Sequence, residues 1–285
     1  EPQHFFVAQH LARTRTLPVQ SLDEHERGPW EQEGSQPPLY YLLAAPLVAL
    51  AGSDLEADGL WVNPQNSMGH PTVVGNDNRY IHPPAREGWP WRGYALAVHA
   101  IRGLSTLLAI LSVALVWSIA RRVFAGRHDQ VDGSAATVAS ATATGTGTGT
   151  SLALASAALI AFNPQFLALA ASVTNDNLVV LLACAALALL SRIADGRDDR
   201  RTVAALAVVA GLSPLAKLSG LAVVAFAVVT LGWLAWRRRD PHWLVRTAGP
   251  VVLATCVLAG WWYVRNLRLY GDLTGVSHML LPAIR

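Results

Sequence analysis

The sequence predicts an all-α, polytopic membrane helix bundle of about six spans, with a large external N-terminal loop carrying short interfacial helices. Three observations predict it. The 285-residue chain is 52% hydrophobic and 14% charged, with a mean hydropathy of +0.32, too apolar and too charge-poor for an ordinary soluble domain. Several apolar runs are long enough to cross a hydrocarbon core of ~30 Å. The basic residues gather at the ends of those runs, so the net charge of +3 and the pI near 9.1 reflect orientation in a membrane rather than binding of nucleic acid.

The first informative stretch is EQEGSQPPLYYLLAAPLVAL, residues 31–50. Pro37 and Pro38 fix φ and push Gln36 out of the helical region, making a stiff corner and a ready first helical turn. The run that follows, residues 39–50, spans only ~18 Å as a helix, too short to cross a bilayer but suited to lying on one. Tyr40 and Tyr41, rings with polar tips, belong at headgroup depth. Residues 59–93 are rich in Asn, Gly, Pro and His and read as an irregular external loop. Its His70 and His82 lack paired metal-ligand spacing. Trp89, Trp91 and Tyr94 stand where interfacial anchors are expected.

The run 94–120 is the first span, and Arg121, Arg122 and Arg127 after it mark a cytoplasmic end. Residues 128–150 read as a cytoplasmic linker, with GSAATVASATATGTGTGT (133–150) low in complexity and flexible. The stretch 151–193 is too long for one crossing and breaks at SVTNDN, so it predicts a hairpin whose tip, residues 174–177, faces outward. Residues 202–236 start and end in basic clusters, which requires an even number of crossings; the break at SPLAKLSG sets Lys217 near the outer side. The last run, 247–264, emerges outside at WWYVRNLRLYGD. Arg121 and Arg237 are thus expected inside, and Glu33, Asp176 and Arg265 outside. Two domains follow, an external loop over 1–93 and a bundle over 94–285. Cys184 and Cys256 lie in apolar runs and behave as small hydrophobes. With neither a Met nor a signal-like segment at its start, the chain reads as a piece of a longer protein, lacking at least one preceding span.

Five segments, EPQHFFVAQHLARTRTLPVQ, EGSQPPLYYLL, FNPQFLALAASVTND, GLSPLAKLSGL and GWWYVRNLRLYGD, taken in that order, resemble the bacterial lipid-carrier-dependent glycosyltransferases of the GT-C superfamily. Relatives there include protein O-mannosyltransferases and lipid A aminoarabinose transferases. The resemblance implies that Glu1 is the second acid of a pair that follows a first transmembrane helix; the first, normally Asp and assigned as the base, would precede Glu1. It also implies a juxtamembrane helix after Pro37 and Pro38, in agreement with the length argument. Some relatives carry Lys where this chain has Gln36 and an acid where it has Ser35; here the nearest acid is Glu33.

Transfer of a sugar from a polyprenyl phosphate to a hydroxyl needs a group to take the acceptor proton and positive charge for the departing phosphate. Glu1 and Glu33 are the catalytic candidates, able to orient the acceptor or to hold a divalent ion (Mg, Mn or Zn) through hard oxygen ligands. His4, Gln36, Tyr40, Asn175, Asp176, Lys217 and Arg265 are the substrate-binding candidates. Arg265 suits bidentate phosphate contact or anchoring beside Trp261 and Trp262, and Lys217 a point charge or the same snorkelling. Asn175 and Asp176 equally suit capping of the helix that follows. His4, three residues beyond Glu1, faces the same way on a helix or is a solvated loop residue. Asp23, Glu24 and Glu26 around His25 read as a solvated turn.

The expected partners are a polyprenyl-phosphate-linked sugar, an acceptor lipid, glycan or protein, and membrane lipids, with no nucleic acid. The expected place is the inner (plasma) membrane, with inverting single displacement on the non-cytoplasmic side. A transporter or lipid-sugar translocase, its path lined at Asn175 and Lys217, is the rival reading, and a non-catalytic scaffold a third.

Overall fold

The structure, a computed structural model, describes residues 1–23, 25–52, 61–62, 80–81, 84–131 and 142–279. His70, His82, Glu24 and the middle of the expected linker fall outside them.

Pro2 occupies the first turn of α1 (Pro2–Thr14), where its missing N–H costs nothing, and Arg15 ends the helix in a left-handed conformation. α1 buries Phe5, Phe6, Val7, Ala8 and Leu11. A single 3₁₀ turn, Glu31–Ser35, leads to Gln36, which is extended at φ −70°, ψ 145°, as a residue before proline should be. α2 (Leu39–Leu50) has the predicted length. It turns Tyr40, Tyr41, Ala44 and Val48 inward while Leu42, Leu43 and Leu50 stay exposed, so both of its faces are apolar. That is the pattern of a helix packed on protein below and bathed in lipid above. A two-residue antiparallel pair, Trp61–Val62 with Tyr80–Ile81, and the short α3 (Pro84–Glu87) follow.

The bundle proper comprises α4 (Gly93–Val131), α5 (Thr142–Ala161), α6 (Pro164–Ala170), α7 (Asp176–Ala194), α8 (Arg200–Ala216), α9 (Gly220–Arg238) and α10 (Pro241–Tyr270). α4 packs on α5 and α7, α7 on α8, and α10 on α8 and α9. One core joins α1, α2, α4 and α7, so the N-terminal helices are seated on the bundle; a second core joins α7 to α10. Lipid tails are as apolar as these side chains, so packing between α7 and α10 rests on close fit rather than on escape from water.

Four helices among the described residues are long and apolar enough to cross a membrane, at Gly93–Phe124, Asp176–Ala194, Gly220–Arg238 and Pro241–Tyr270. The expected count of about six is reached only with two imperfect segments. One is the pair α5 and α6, bent by 66°. Pro164 forces Asn163 into an extended conformation, and the Asn163 side chain then caps α6 by accepting from Phe166 N–H at 3.1 Å, so the first arm of the predicted hairpin is broken. The other is α8, 17 residues long, or ~25 Å. The expected linker is also corrected: α4 runs to Val131 and α5 starts at Thr142, so residues 128–131 and 142–150 are helical rather than loose. An adjoining apolar run can carry Thr and Gly into a helix that their own propensities disfavour.

Candidate functional site

Chain breaks bring polar side chains together at one end of the bundle. The α6 to α7 turn presents Val173, Thr174 and Asn175, and the α8 to α9 turn presents Lys217. α1 and the 3₁₀ turn lie over them, and the last turns of α10 supply Arg265 and Asn266. The α8 to α9 turn depends on Gly220, where an added Cβ would stand 2.0 Å from the Ser213 carbonyl oxygen.

Glu1 is held by a two-pronged pair with Arg102 of α4, Nε to Oε1 at 2.7 Å and Nη2 to Oε2 at 2.9 Å, and it accepts the Val173 N–H at 3.1 Å. Burial opposes its charge, but the guanidinium and the amide outweigh that, so the carboxyl is held below its ordinary range. Glu33 is in the opposite state. It is 6% exposed, and burial pushes its pKa above the ordinary 4.5 despite hydrogen bonds from Gln32 and Gln36. His4 Nδ1 lies 3.6 Å from Glu33 Oε2, beyond hydrogen-bond length, and 2.7 Å from the Tyr41 hydroxyl. Burial lowers the His4 pKa to about 4, so the ring is neutral at pH 7 and forms no ion pair with Glu33.

Lys217 Nζ donates to Asp176 Oδ1 at 2.5 Å, and the Thr174 hydroxyl donates to Asp176 Oδ2 at 2.9 Å. Asn175 occupies the N-cap position of α7 but makes no side-chain capping bond, which overturns the capping expectation. Its Nδ2 donates instead to Gln36 Oε1 at 3.2 Å. Gln36 also reaches Met279 Sδ at 3.6 Å. Arg265 donates from Nη2 to the Pro18 carbonyl at 2.8 Å and stacks over the Trp262 ring at 5.0 Å. Trp262 is 1% exposed, so it serves as a buried platform, while Trp261 is 45% exposed.

Tyr40 is corrected. It is fully buried and its hydroxyl pairs with Ser105 Oγ at 2.9 Å, so it fastens α2 to α4 rather than facing a headgroup. Burial raises its pKa to about 12.

Buried polar atoms at this end with no hydrogen-bond partner among the described residues include Glu33 Oε2, Ser35 Oγ, Asn175 Oδ1, Arg265 Nη1, Trp30 Nε1 and both amide atoms of the fully buried Asn266. Each such atom costs on the order of 1–3 kcal/mol unless a water or ligand meets it. Gly275 sits between two of them, with an added Cβ placed 3.3 Å from Ser35 Cβ and 3.4 Å from Asn266 Nδ2.

The sequence reading of site residues missed Arg102, Ser35 and Asn266. A lone arginine inside an apolar run was the available signal for Arg102; Ser35 and Asn266 carry no such signal, because their isolation is a tertiary property. The Glu1 oxygens accept from Arg102 and Val173, while Glu33 Oε2 has no hydrogen-bond partner among the described residues. Among the described residues no three His, Cys, Asp or Glu side chains converge as a metal site.

Residues 143–263 match the family model described as dolichyl-phosphate-mannose-protein mannosyltransferase. The match takes in α6 to α9 with most of α5 and α10, including Asn175, Asp176 and Lys217, but excludes Glu1, Glu33 and Arg265 and covers less than half of the chain. No curated protein and no solved structure matches the chain. The chain is thus a multi-pass membrane protein by its apolar helices, and over residues 143–263 its bundle is similar to the glycosyltransferases of that family.

Proposed function

We propose that the chain carries the reaction face of a membrane glycosyltransferase that moves a sugar from a polyprenyl-phosphate donor to an acceptor hydroxyl on the non-cytoplasmic side of the inner membrane. The observation that carries this reading is the set of unpartnered buried polar atoms gathered around Glu33, Asn175 and Arg265 at one end of the bundle. A transport path would be expected to place its polar groups near the midpoint of the spans.

In the proposed reaction the acceptor oxygen forms a bond to the sugar C1 while the bond from C1 to the phosphate oxygen breaks, and its electron pair leaves with the phosphate. Glu33 takes or orients the acceptor proton. Its raised pKa makes it a stronger base than an exposed glutamate, and Oε2 has no donor to satisfy it. Glu1, kept ionised by Arg102, positions the start of α1 against the α6 to α7 turn. Lys217 and the free Nη1 of Arg265 supply positive charge for the departing phosphate, with Asn175 and Gln36 as hydrogen-bonding neighbours. No step is routed through a metal ion.

The test is Glu33→Gln in the full-length protein, assayed in membranes with a lipid-phosphate-linked sugar. Transfer is expected to fall by at least ~10²-fold. In the unsubstituted protein the ionised form is lost as pH falls through the folded pKa, so the acid limb of the rate profile should lie above 4.5. Unchanged turnover in Glu33→Gln removes Glu33 from the site.

A further inference from the structure

A second polar feature lies at the opposite end of the bundle, ~24 Å along α8 from Lys217. There the first turn of α8 and the first three turns of α10 border an open cavity of about 400 Å³, lined by Asp198, Arg200, Val203, Ala204, Trp243, Arg246, Thr247 and Pro250. Asp198 is already engaged, accepting from Arg238 Nη1 at 3.0 Å and from the Trp243 indole N–H. Asp199, the neighbouring acid, is spent on capping α8, where it accepts from Arg201 N–H at 3.0 Å and from the Thr202 hydroxyl at 2.7 Å. Arg200 and Arg246 are exposed and have no carboxylate partner among the described residues. Arg200 and Arg246 thus line one cavity without an ion pair of their own, the Asp198 carboxylate there being paired with Arg238.

The cavity also has an apolar continuation. Val208 lies one turn beyond Ala204 on α8, and Leu253 and Val257 lie three and seven residues beyond Pro250 on α10; all three are exposed. At helical spacing they extend the cavity as an apolar track along the bundle. Pro250 has no N–H, so the Arg246 carbonyl lacks its usual donor within α10.

We propose that this cavity binds the phosphate headgroup of an anionic membrane lipid, with Arg200 and Arg246 on the phosphodiester and an acyl chain along Val208, Leu253 and Val257. A soluble phosphate would use the arginines but not the apolar track. The proposal is independent of the transferase reading, because it involves none of the residues at the Glu33 end.

The experiment is native mass spectrometry of the full-length protein incubated with phosphatidylglycerol, phosphatidylcholine or inorganic phosphate. The expected result is a preference for phosphatidylglycerol over phosphatidylcholine of about tenfold or more, lost in the double variant Arg200→Gln, Arg246→Gln. Ala204→Trp fills the cavity while leaving both charges, and it should also abolish the retained lipid. Both arginines and Ala204 are exposed, so these changes leave the cores intact. Equal retention of the two lipids, or full retention of phosphatidylglycerol by the double variant, overturns the proposal. Displacement of the lipid by inorganic phosphate assigns the cavity to a soluble anion and overturns it too.

Discussion

Glu1 and Glu33 are the same side chain in two environments, and the environments divide their work. Arg102 offers Glu1 a planar fork matched to both oxygens, so its charge is fixed and its role is positional. Glu33 is buried without a cation in contact, so its proton affinity rises, which suits it to the acid or base role proposed for it. Arg265 is split in a similar way, with one guanidinium nitrogen tied to Pro18 and the other free. Arg265→Lys should therefore damage transfer although charge is kept, because an ammonium on a flexible stem cannot hold the Pro18 carbonyl and a phosphate together. The expected outcome is a several-fold or greater rise in the donor concentration needed for half-maximal transfer, with thermal stability nearly unchanged. Donor kinetics identical to those of the unsubstituted protein would leave Arg265 as an anchor of residues 15–20 only.

Among the elements, the breaks decide more than the helices. α2 was legible because its limits are local: two prolines before it and a length too short to span. The bend at Pro164 is written in the sequence as Asn-Pro, but the apolar character continues straight through it and hides the break. The α8 to α9 turn was placed correctly at SPLAKLSG, yet its geometric requirement appears only in the fold. A Cβ at Gly220 would meet the Ser213 carbonyl at 2.0 Å and the Pro214 nitrogen at 2.7 Å, both backbone atoms that cannot swing aside. Gly220→Ala should destabilise the protein by about 1–3 kcal/mol. A lowered thermal midpoint in detergent, together with loss of the Lys217 to Asp176 contact and of transfer, is expected; wild-type stability would show that the turn relaxes freely.

At the scale of the whole molecule, alternation of the helices places Arg102, Asp176, Lys217 and Arg265 towards one end and Asp198, Arg238 and Arg246 towards the other. Single cysteines introduced at exposed positions test this arrangement. Ser277 and Glu31 represent the Glu33 end, and Gly196 and Arg239 the other. The native Cys184 and Cys256 are first replaced by alanine. An impermeant thiol reagent applied from outside should label the first pair and spare the second. Labelling of Ser277→Cys and Gly196→Cys from the same side would reject the six-pass arrangement.

The sequence by itself determined the class, because hydropathy, run length and flanking arginines are one-dimensional properties that a bilayer reads directly. It also determined the Pro-Pro corner, α2, and the position of the α8 to α9 break. Only the tertiary structure decided which polar residues are partnered. It paired Glu1 with Arg102 across 101 positions, buried Tyr40 against Ser105, and drew Asn175 to Gln36 across 139. It also left Glu33 and Asn266 with buried atoms unmet. Partnership depends on which turns meet at the end of the bundle, and packing sets that through contacts between residues far apart in the chain.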